Sequence, residues 1–330
     1  MRIGINGFGR IGRSLFRVLH EREGMEVVAV NDIADINSLA HLLKYDSIHR
    51  IFRADIQKLG QNILIDGRSV AVTREAQLDN LSWKDCDVVV EASGKFLTKL
   101  DLEKHINAGA KKVILAASPK GDDVKMVVLG VNDSDLNESD LIVSNASCTT
   151  NCAAPMVQLI DDNFGVDQAY ITTIHSYTKD QSLHDSPHKD LRRARAGALS
   201  IIPTTTGAAK AITKIFSHLE IGGCGIRVPV ANGSLTDITF TVQNDCTIEE
   251  VNQIFYKASI GKYQRIVDYT EDPIVSSDVI GREETMVFDQ KATMMTNDEL
   301  LKTLCWYDNG WGFASRILDV VDAYATLEDK

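Results

Sequence analysis

The run Gly7-Phe8-Gly9-Arg10-Ile11-Gly12 constrains this chain more than any other feature, because of what flanks it. Arg2 to Asn6 reads as a short apolar strand before it. Arg13 to His20 reads as a helix after it, with Leu15, Phe16, Val18 and Leu19 available for packing. A second strand, Val27 to Val30, then ends in Asn31-Asp32. Three glycines alone would make an ordinary turn. Between a strand and a helix they let the backbone approach a pyrophosphate, which the helix N-terminus then receives. Asp32 stands twenty residues after Gly12, the spacing of a carboxylate that bonds ribose hydroxyls. These features together predict a dinucleotide site. A carboxylate at position 32 would repel the extra phosphate of NADP, so NAD is the expected cofactor.

The alternation continues downstream. Asp87 to Glu91 and Lys112 to Ala116 read as buried strands, with Leu102 to Ala108 as a helix between them and Met126 to Val131 as a further strand. Such βαβ order predicts an α/β fold with a Rossmann-type, doubly wound parallel sheet. Ligands then sit beyond the carboxyl ends of the strands, and Ala92-Ser93-Gly94 closes one of them. After residue 147 the texture changes. Ala169 to Ile174, Ser234 to Val242 and Leu301 to Trp306 look like strands rich in Thr, Ile and Val, and Ile248 to Ala258 looks helical. The expectation is an NAD-binding domain over 1–147 and an α+β catalytic domain with a mostly antiparallel sheet over 148–310. Trp311 to Leu327 reads as a long helix, and the segment 311–330 is expected to pack back on the first domain.

The chemistry lies at the start of the second domain. Ala153, Ala154, Met156, Val157, Leu159 and Ile160 supply an apolar helical face after Ser147-Cys148-Thr149-Thr150-Asn151-Cys152. Pro155 is awkward in a helix, so Cys148 is expected at or just before the N-terminus. Backbone N–H groups there favour a thiolate, and a nearby imidazolium favours it further. The same N–H groups could hold an oxyanion formed when the thiolate attacks a carbonyl. His175 ends a strand-like run. Alone it would read as a structural histidine bonded to a backbone carbonyl; with Cys148 upstream it reads as the base. Cys152 reads as a small buried residue. No paired cysteine or histidine spacing calls for a metal. Thiol, imidazole and dinucleotide together predict oxidation of an aldehyde held covalently on sulfur.

Composition narrows the setting. The 330-residue chain carries a net charge of −11, without a basic block, which argues against nucleic acid as the main ligand. Its apolar runs are too short to span a membrane, and Asn6, Arg10 and Arg13 break what would be a signal peptide. Six scattered cysteines fit a cytoplasmic protein with free thiols.

Six blocks, in order between residues 147 and 309, resemble the phosphorylating glyceraldehyde-3-phosphate dehydrogenase family, and the resemblance covers essentially the whole chain. They are Ser147 to Cys152, His175 to Thr178, Pro187 to Arg195, Pro203 to Lys210, Arg227-Val228-Pro229 and Trp306 to Asn309. The Ser-Cys-Thr-Thr-Asn-Cys block is highly specific. The resemblance implies a homotetramer that uses NAD, glyceraldehyde 3-phosphate and inorganic phosphate. It implies Cys148 as nucleophile and His175 as its base. Thr178 and Arg227 would hold the substrate's phosphate. Ser147, Thr149, Thr206 and Gly207 would hold inorganic phosphate, with Arg193 close to both. Gly7, Gly9, Arg10, Ile11, Gly12, Asp32 and Ser118 would contact NAD, and Asn309 its carboxamide. A close relative acting on erythrose 4-phosphate departs at Thr178 and at Thr206-Gly207. The aspartate-semialdehyde dehydrogenase type shares the thiol-and-hydride logic but lacks this cysteine block.

The chain departs from the family in three places. Gly310 follows Asn309 where the family usually reads Asn-Glu-Trp-Gly, which implies a looser turn. His218 to Cys224 replaces a longer, lysine-bearing segment, which implies an altered loop before Arg227. Ser186 stands where NAD-specific members often carry leucine, while Asp32 and Pro187 favour NAD.

Overall fold

A computed structural model describes residues 1–296 and 300–328; positions 329 and 330 of the expected C-terminal helical segment lie outside the described residues. The chain forms two compact units. One holds Met1–Val127, Asp133–Ala146 and the chain from Ala314 onward; the other holds Val128–Asn132 and Ser147–Phe313.

The first unit opens with strand β1 (Arg2–Asn6), helix α1 (Arg10–His20), β2 (Glu26–Asn31) and α2 (Ile36–Lys44). Helix α1 starts three residues before the expected Arg13, because Gly9 already serves as its N-cap. A small ribbon, β3 (Tyr45–Asp46) with β4 (Arg50–Ile51), is followed by β5 (Ile56–Leu59), β6 (Asn62–Ile65) and β7 (Arg68–Thr73). Then come β8 (Val88–Glu91), α3 (Lys99–Asn107), β9 (Lys112–Leu115), β10 (Lys125–Met126) and β11 (Ile142–Ser144). The sheet order is β10-β11-β9-β8-β1-β2-β7-β6-β5. From β10 to β7 all pairs are parallel; β6 and β5 add an antiparallel edge. Strands β8 and β9 are buried along their whole length, as a parallel sheet covered on both faces requires. Among the C-terminal residues of this unit, the Tyr324 hydroxyl donates to the Asp140 carbonyl at 2.9 Å and Arg22 pairs with Asp319 at 2.6 Å.

One expected strand is corrected. Met126 to Val131 does not continue in the sheet: only Lys125–Met126 pairs. The apolar run turns instead. The Val131 and Asn132 amides both donate to the Val128 carbonyl, and Asn132 Oδ1 accepts the Val128 amide. Gly130 has φ +81, and a Cβ there would lie 2.8 Å from the Tyr263 ring.

The second unit begins with α4 (Cys148–Phe164) and β12 (Val166–Ser176), followed by β13 (Ile202–Thr204), α5 (Ala208–Ile215), β14 (Glu220–Val228), β15 (Ser234–Val242) and α6 (Ile248–Ile260). Strands β16 (Val267–Thr270), β17 (Met286–Asp289), β18 (Met294–Thr296) and β19 (Leu300–Tyr307) precede α7 (Trp311–Glu328). The sheet order is β13-β14-β12-β15-β19-β17-β16, with β18 on β19. Only β12 with β14 and β16 with β17 run parallel. Alternation along β12 buries Ala169, Ile171, Thr173 and His175 on one face, the face that meets α4. Pro155 lies well inside α4 rather than in its first turn. It costs the helix one backbone bond, and burial of Met156, Val157 and Ile160 on the same helix offsets that loss.

Candidate functional site

In the first unit the order of the sheet brings four turns together. Gly7 follows β1, Asp32 follows β2, Ala92-Ser93 follows β8 and Ser118 lies just past β9. All four stand beyond the carboxyl ends of adjacent parallel strands. The chain leaves β1 toward β2 on one side and returns as β8 on the other, the switch point at which such sheets bind ligands.

The glycines differ in what requires them. Gly7 has φ +93, and a Cβ there would lie 2.4 Å from the backbone of Ser93. A Cβ on Gly12 would lie 2.3 Å from the Gly7 carbonyl oxygen. At Gly9 a Cβ would meet no protein atom within 4 Å, so the space above the N-terminus of α1 is open. That helix has no side-chain cap and no acidic residue in its first turn. Its N–H groups therefore suit a pyrophosphate. Asp32 Oδ2 accepts the Phe8 amide at 2.8 Å and Oδ1 accepts the Ala34 amide at 2.9 Å, which ties the acid to the glycine turn. An open anion-binding helix end with a carboxylate beside it fits a dinucleotide with a free ribose hydroxyl.

The second unit holds the reactive pair. Ala146, buried with φ +52, turns the chain into α4; a non-glycine residue pays about 1–2 kcal/mol for that conformation. Ser147 is the N-cap, its Oγ accepting the Thr150 amide at 3.1 Å. Cys148 is therefore the first helical residue, as the expected thiolate position required. Its Sγ lies 3.5 Å from His175 Nε2. The other ring nitrogen, Nδ1, lies 2.6 Å from the Ser176 carbonyl oxygen, the backbone partner that a structural histidine would have. Arg227, its register partner on β14, places Nη1 2.6 Å from the same Nδ1 and donates to the Ser176 carbonyl at 3.1 Å. Burial pushes the Arg227 guanidinium below its ordinary value, and the Cys148 thiolate opposes that shift.

Of the expected phosphate residues, Arg193 is linked to this pair through Arg227. Arg193 lies close enough to Arg227 for the two charges to repel. Its Nη1 donates to Asp180 at 2.7 Å, its Nε to Thr204 at 2.9 Å, and its Nη2 to the Thr205 carbonyl at 3.1 Å, next to Thr206-Gly207. Burial alone would push the Asp180 carboxyl up, but hydrogen bonds from Arg193 and His188 hold it below the ordinary carboxylate value. Gly207 caps α5, and a Cβ there would meet nothing within 4 Å. Thr206 Oγ1 accepts the Ala208 amide at 3.2 Å, and Thr178 donates to Gln181 at 3.2 Å.

Several partners escaped sequence reasoning. The hydroxyl of Tyr307, wholly buried, meets Thr149 Oγ1 at 2.8 Å. Burial pushes that phenol well above its ordinary value, with the neighbouring sulfurs of Cys148 and Cys152 adding to the shift, so it stays protonated. Ser176 and Ser234 both donate to Asn309 Oδ1, at 2.8 and 3.2 Å, which fixes the amide with Nδ2 as its donor side. Alternation along β19, which buries Leu301, Thr303, Cys305 and Tyr307, was the available signal for the phenol. The loose turn expected at Gly310 is absent. The Gly310 and Trp311 amides both donate to Asp308 Oδ1 at 2.8 Å, and Asn232 and the Gly281 amide fill Oδ2. Before Arg227 the shortened segment is a tight turn, Leu219 N to Phe216 O at 3.0 Å, leading straight into β14.

Comparison with known proteins agrees with this geometry. Residues 1–99 match the model of the glyceraldehyde 3-phosphate dehydrogenase NAD binding domain, and residues 147–309 match that of the C-terminal domain. The chain is 47% identical to glyceraldehyde-3-phosphate dehydrogenase 2 of Streptomyces avermitilis, covering 97% of each. It is 44% identical to the enzyme of that name from Geobacillus stearothermophilus, again over 97% of each. Against the Thermotoga maritima protein of the same name the identity is 45%, over 97% of this chain and 98% of that one. With both family models matched and relatives aligned end to end, the chain belongs to the glyceraldehyde 3-phosphate dehydrogenase family.

Proposed function

We propose that this chain, an NAD-dependent oxidoreductase, converts glyceraldehyde 3-phosphate and inorganic phosphate to 1,3-bisphosphoglycerate. The observation that carries the reading is Cys148 Sγ, at the first position of α4, 3.5 Å from His175 Nε2. The Cys148 thiolate attacks the aldehyde carbon, and the first-turn amides of α4 face the oxygen that gains charge. NAD, when bound, accepts the hydride from that carbon. The His175 imidazolium gives that oxygen its Nε2 proton, forming the hemithioacetal hydroxyl, and Nε2 takes the proton back as the hemithioacetal becomes a thioester on Cys148. Inorganic phosphate then attacks the thioester, the C–S bond breaks, and the thiolate is restored as acyl phosphate leaves.

The residue roles follow from the same reading. Thr178 and Arg227 bind the substrate's phosphate. Ser147, Thr149, Thr206 and Gly207 bind the attacking phosphate, with Arg193 shared. Gly7, Gly9, Arg10, Ile11, Gly12, Asp32 and Ser118 hold NAD, with Asn309 Nδ2 for its carboxamide. Hydroxyls, amides and guanidinium forks are the groups that bind phosphate oxygens. A homotetramer in the cytoplasm is part of the proposal. Its supports are the exposed Leu183, Leu191, Leu199 and Ile201 along one loop, which suit an interface, and six cysteines that form no disulfide among the described residues, which suit a reducing compartment.

The test is an assay of purified protein with glyceraldehyde 3-phosphate, with and without phosphate, and with NAD or NADP. NADH formation that depends on both phosphate and the aldehyde is expected. Steady turnover without phosphate would point to simple hydrolytic oxidation instead.

A further inference from the structure

Glu91 ends β8, and its side chain is wholly buried. Four donors converge on its carboxylate. Asn6 Nδ2 and His105 Nε2 meet Oε2 at 2.5 and 3.0 Å; the Ser93 amide and hydroxyl meet Oε1 at 2.8 and 2.5 Å. Behind it, the Trp83 indole N–H donates to His105 Nδ1 at 3.0 Å. An indole N–H can only donate, so Nδ1 carries the lone pair and Nε2 the proton that faces Glu91. On the far side Asn31 Nδ2 donates to Asn6 Oδ1 at 2.7 Å, while its Oδ1 accepts the Thr73 hydroxyl and the Glu75 amide.

A buried carboxylate is costly unless its lone pairs are filled, and here all four are. Its donors are also well placed. Asn6 immediately precedes Gly7, and Ser93 is the residue whose backbone Gly7 touches. One carboxylate thus grips both turns that close the adjacent strands β1 and β8. None of this belongs to the thiol chemistry.

We propose that Glu91, oriented by His105 and Trp83, is a positioning residue for the dinucleotide, setting the gap between the Gly7 turn and the Ser93 turn. The inference rests on placing NAD in this crevice. It differs from a merely structural role in what it moves: NAD affinity, rather than stability alone.

The test titrates the full-length protein with NAD by calorimetry, for the wild type, His105→Leu and His105→Gln, with thermal melting and Cys148 alkylation in parallel. Gln keeps an acceptor for Trp83 and a donor for Glu91; Leu keeps neither. His105→Leu should weaken NAD binding roughly tenfold or more, the value of a hydrogen bond to a charged group. His105→Gln should stay within about threefold of the wild type. Alkylation of Cys148 without NAD should be unchanged in both. A lowered melting temperature with wild-type NAD affinity in His105→Leu overturns the inference, as does equal weakening in the two variants. If His105→Leu does not fold, Glu91→Asp takes its place, and an unchanged affinity there overturns the inference too. Failure of the wild type to bind NAD would instead remove the reading on which it rests.

Discussion

The Nη1 of Arg227 lies 2.6 Å from His175 Nδ1, and the Ser176 carbonyl oxygen lies at the same distance from that nitrogen. A guanidinium only donates and a carbonyl only accepts, so one nitrogen cannot satisfy both at once. With Arg227 donating, the His175 proton sits on Nε2, facing Cys148. When a phosphate draws Arg227 away, Nδ1–H can turn to Ser176 and leave Nε2 as the base. Removing the guanidinium takes away a cation that attracts the Cys148 thiolate. In Arg227→Leu we expect the pH profile of Cys148 alkylation to move to higher pH. KM for the aldehyde should rise about tenfold or more, since the remote phosphate also positions the carbonyl. Thr178→Ala should raise KM and leave the alkylation profile alone. A profile that does not move in Arg227→Leu would separate the two side chains functionally.

Cys148→Ser should keep NAD affinity and lose aldehyde oxidation by about three orders of magnitude or more, because the hydroxyl does not ionise in its place. His175→Asn should lower kcat by roughly 10²–10⁴ and move the alkylation profile to higher pH. Calorimetry and stopped-flow NADH traces check both. Residual turnover above a few per cent in Cys148→Ser would be incompatible with a covalent intermediate on that sulfur.

Alkylation itself should be selective. Burial pushes the Cys86 thiol up to about 12 and the Cys305 thiol well above its ordinary value. At neutral pH one equivalent of iodoacetamide should therefore modify Cys148 and abolish NADH formation, and peptide mapping should find Cys86 and Cys305 unmodified until the protein unfolds.

Asp32 caps two backbone amides as well as facing the proposed ribose, so Asp32→Asn is a cleaner probe than Asp32→Ala. It keeps an acceptor for Phe8 or Ala34 and removes the charge. The ratio of kcat/KM for NAD over NADP should fall by about tenfold, the effect of losing one screened charge repulsion. An unchanged ratio would place selectivity elsewhere, with Ser186 next to be examined.

Thr206→Ala should separate the two phosphate sites. Among the described residues its hydroxyl caps the Ala208 amide alone, so the stability cost should be about 1 kcal/mol or less. The first turnover should survive as a burst of NADH, followed by a slow phase that quickens with phosphate concentration. Loss of the burst would mean that Thr206 serves acylation instead.

What could be read from the chain was what depends on neighbours in sequence. Leu15, Phe16, Val18 and Leu19 make α1 amphipathic wherever it lies, and Ser147 caps α4 through a residue three positions on. Met126 to Val131 looked like a strand because apolar runs do not reveal their length; Gly130 and Asn132 end this one early. The antiparallel edge of the first sheet was missed although Asp66-Gly67 is a two-residue hairpin signal between alternating apolar runs. In the site, motifs named Cys148, His175 and Asn309. Their supports Tyr307 and Ser234 were silent because strand register chooses them: Ser234 stands opposite Tyr307 only once β15 pairs with β19.

The three glycines of the first turn would part company under selection. A library screened only for soluble, folded protein should reject side chains at Gly7 and Gly12, where the chain's own backbone blocks a Cβ, and should let alanine drift in at Gly9, where nothing does. Screened for growth that needs the reaction, the same library should purge that alanine. Gly9 is thus a position where the demands of folding and of ligand recognition can be told apart by counting survivors.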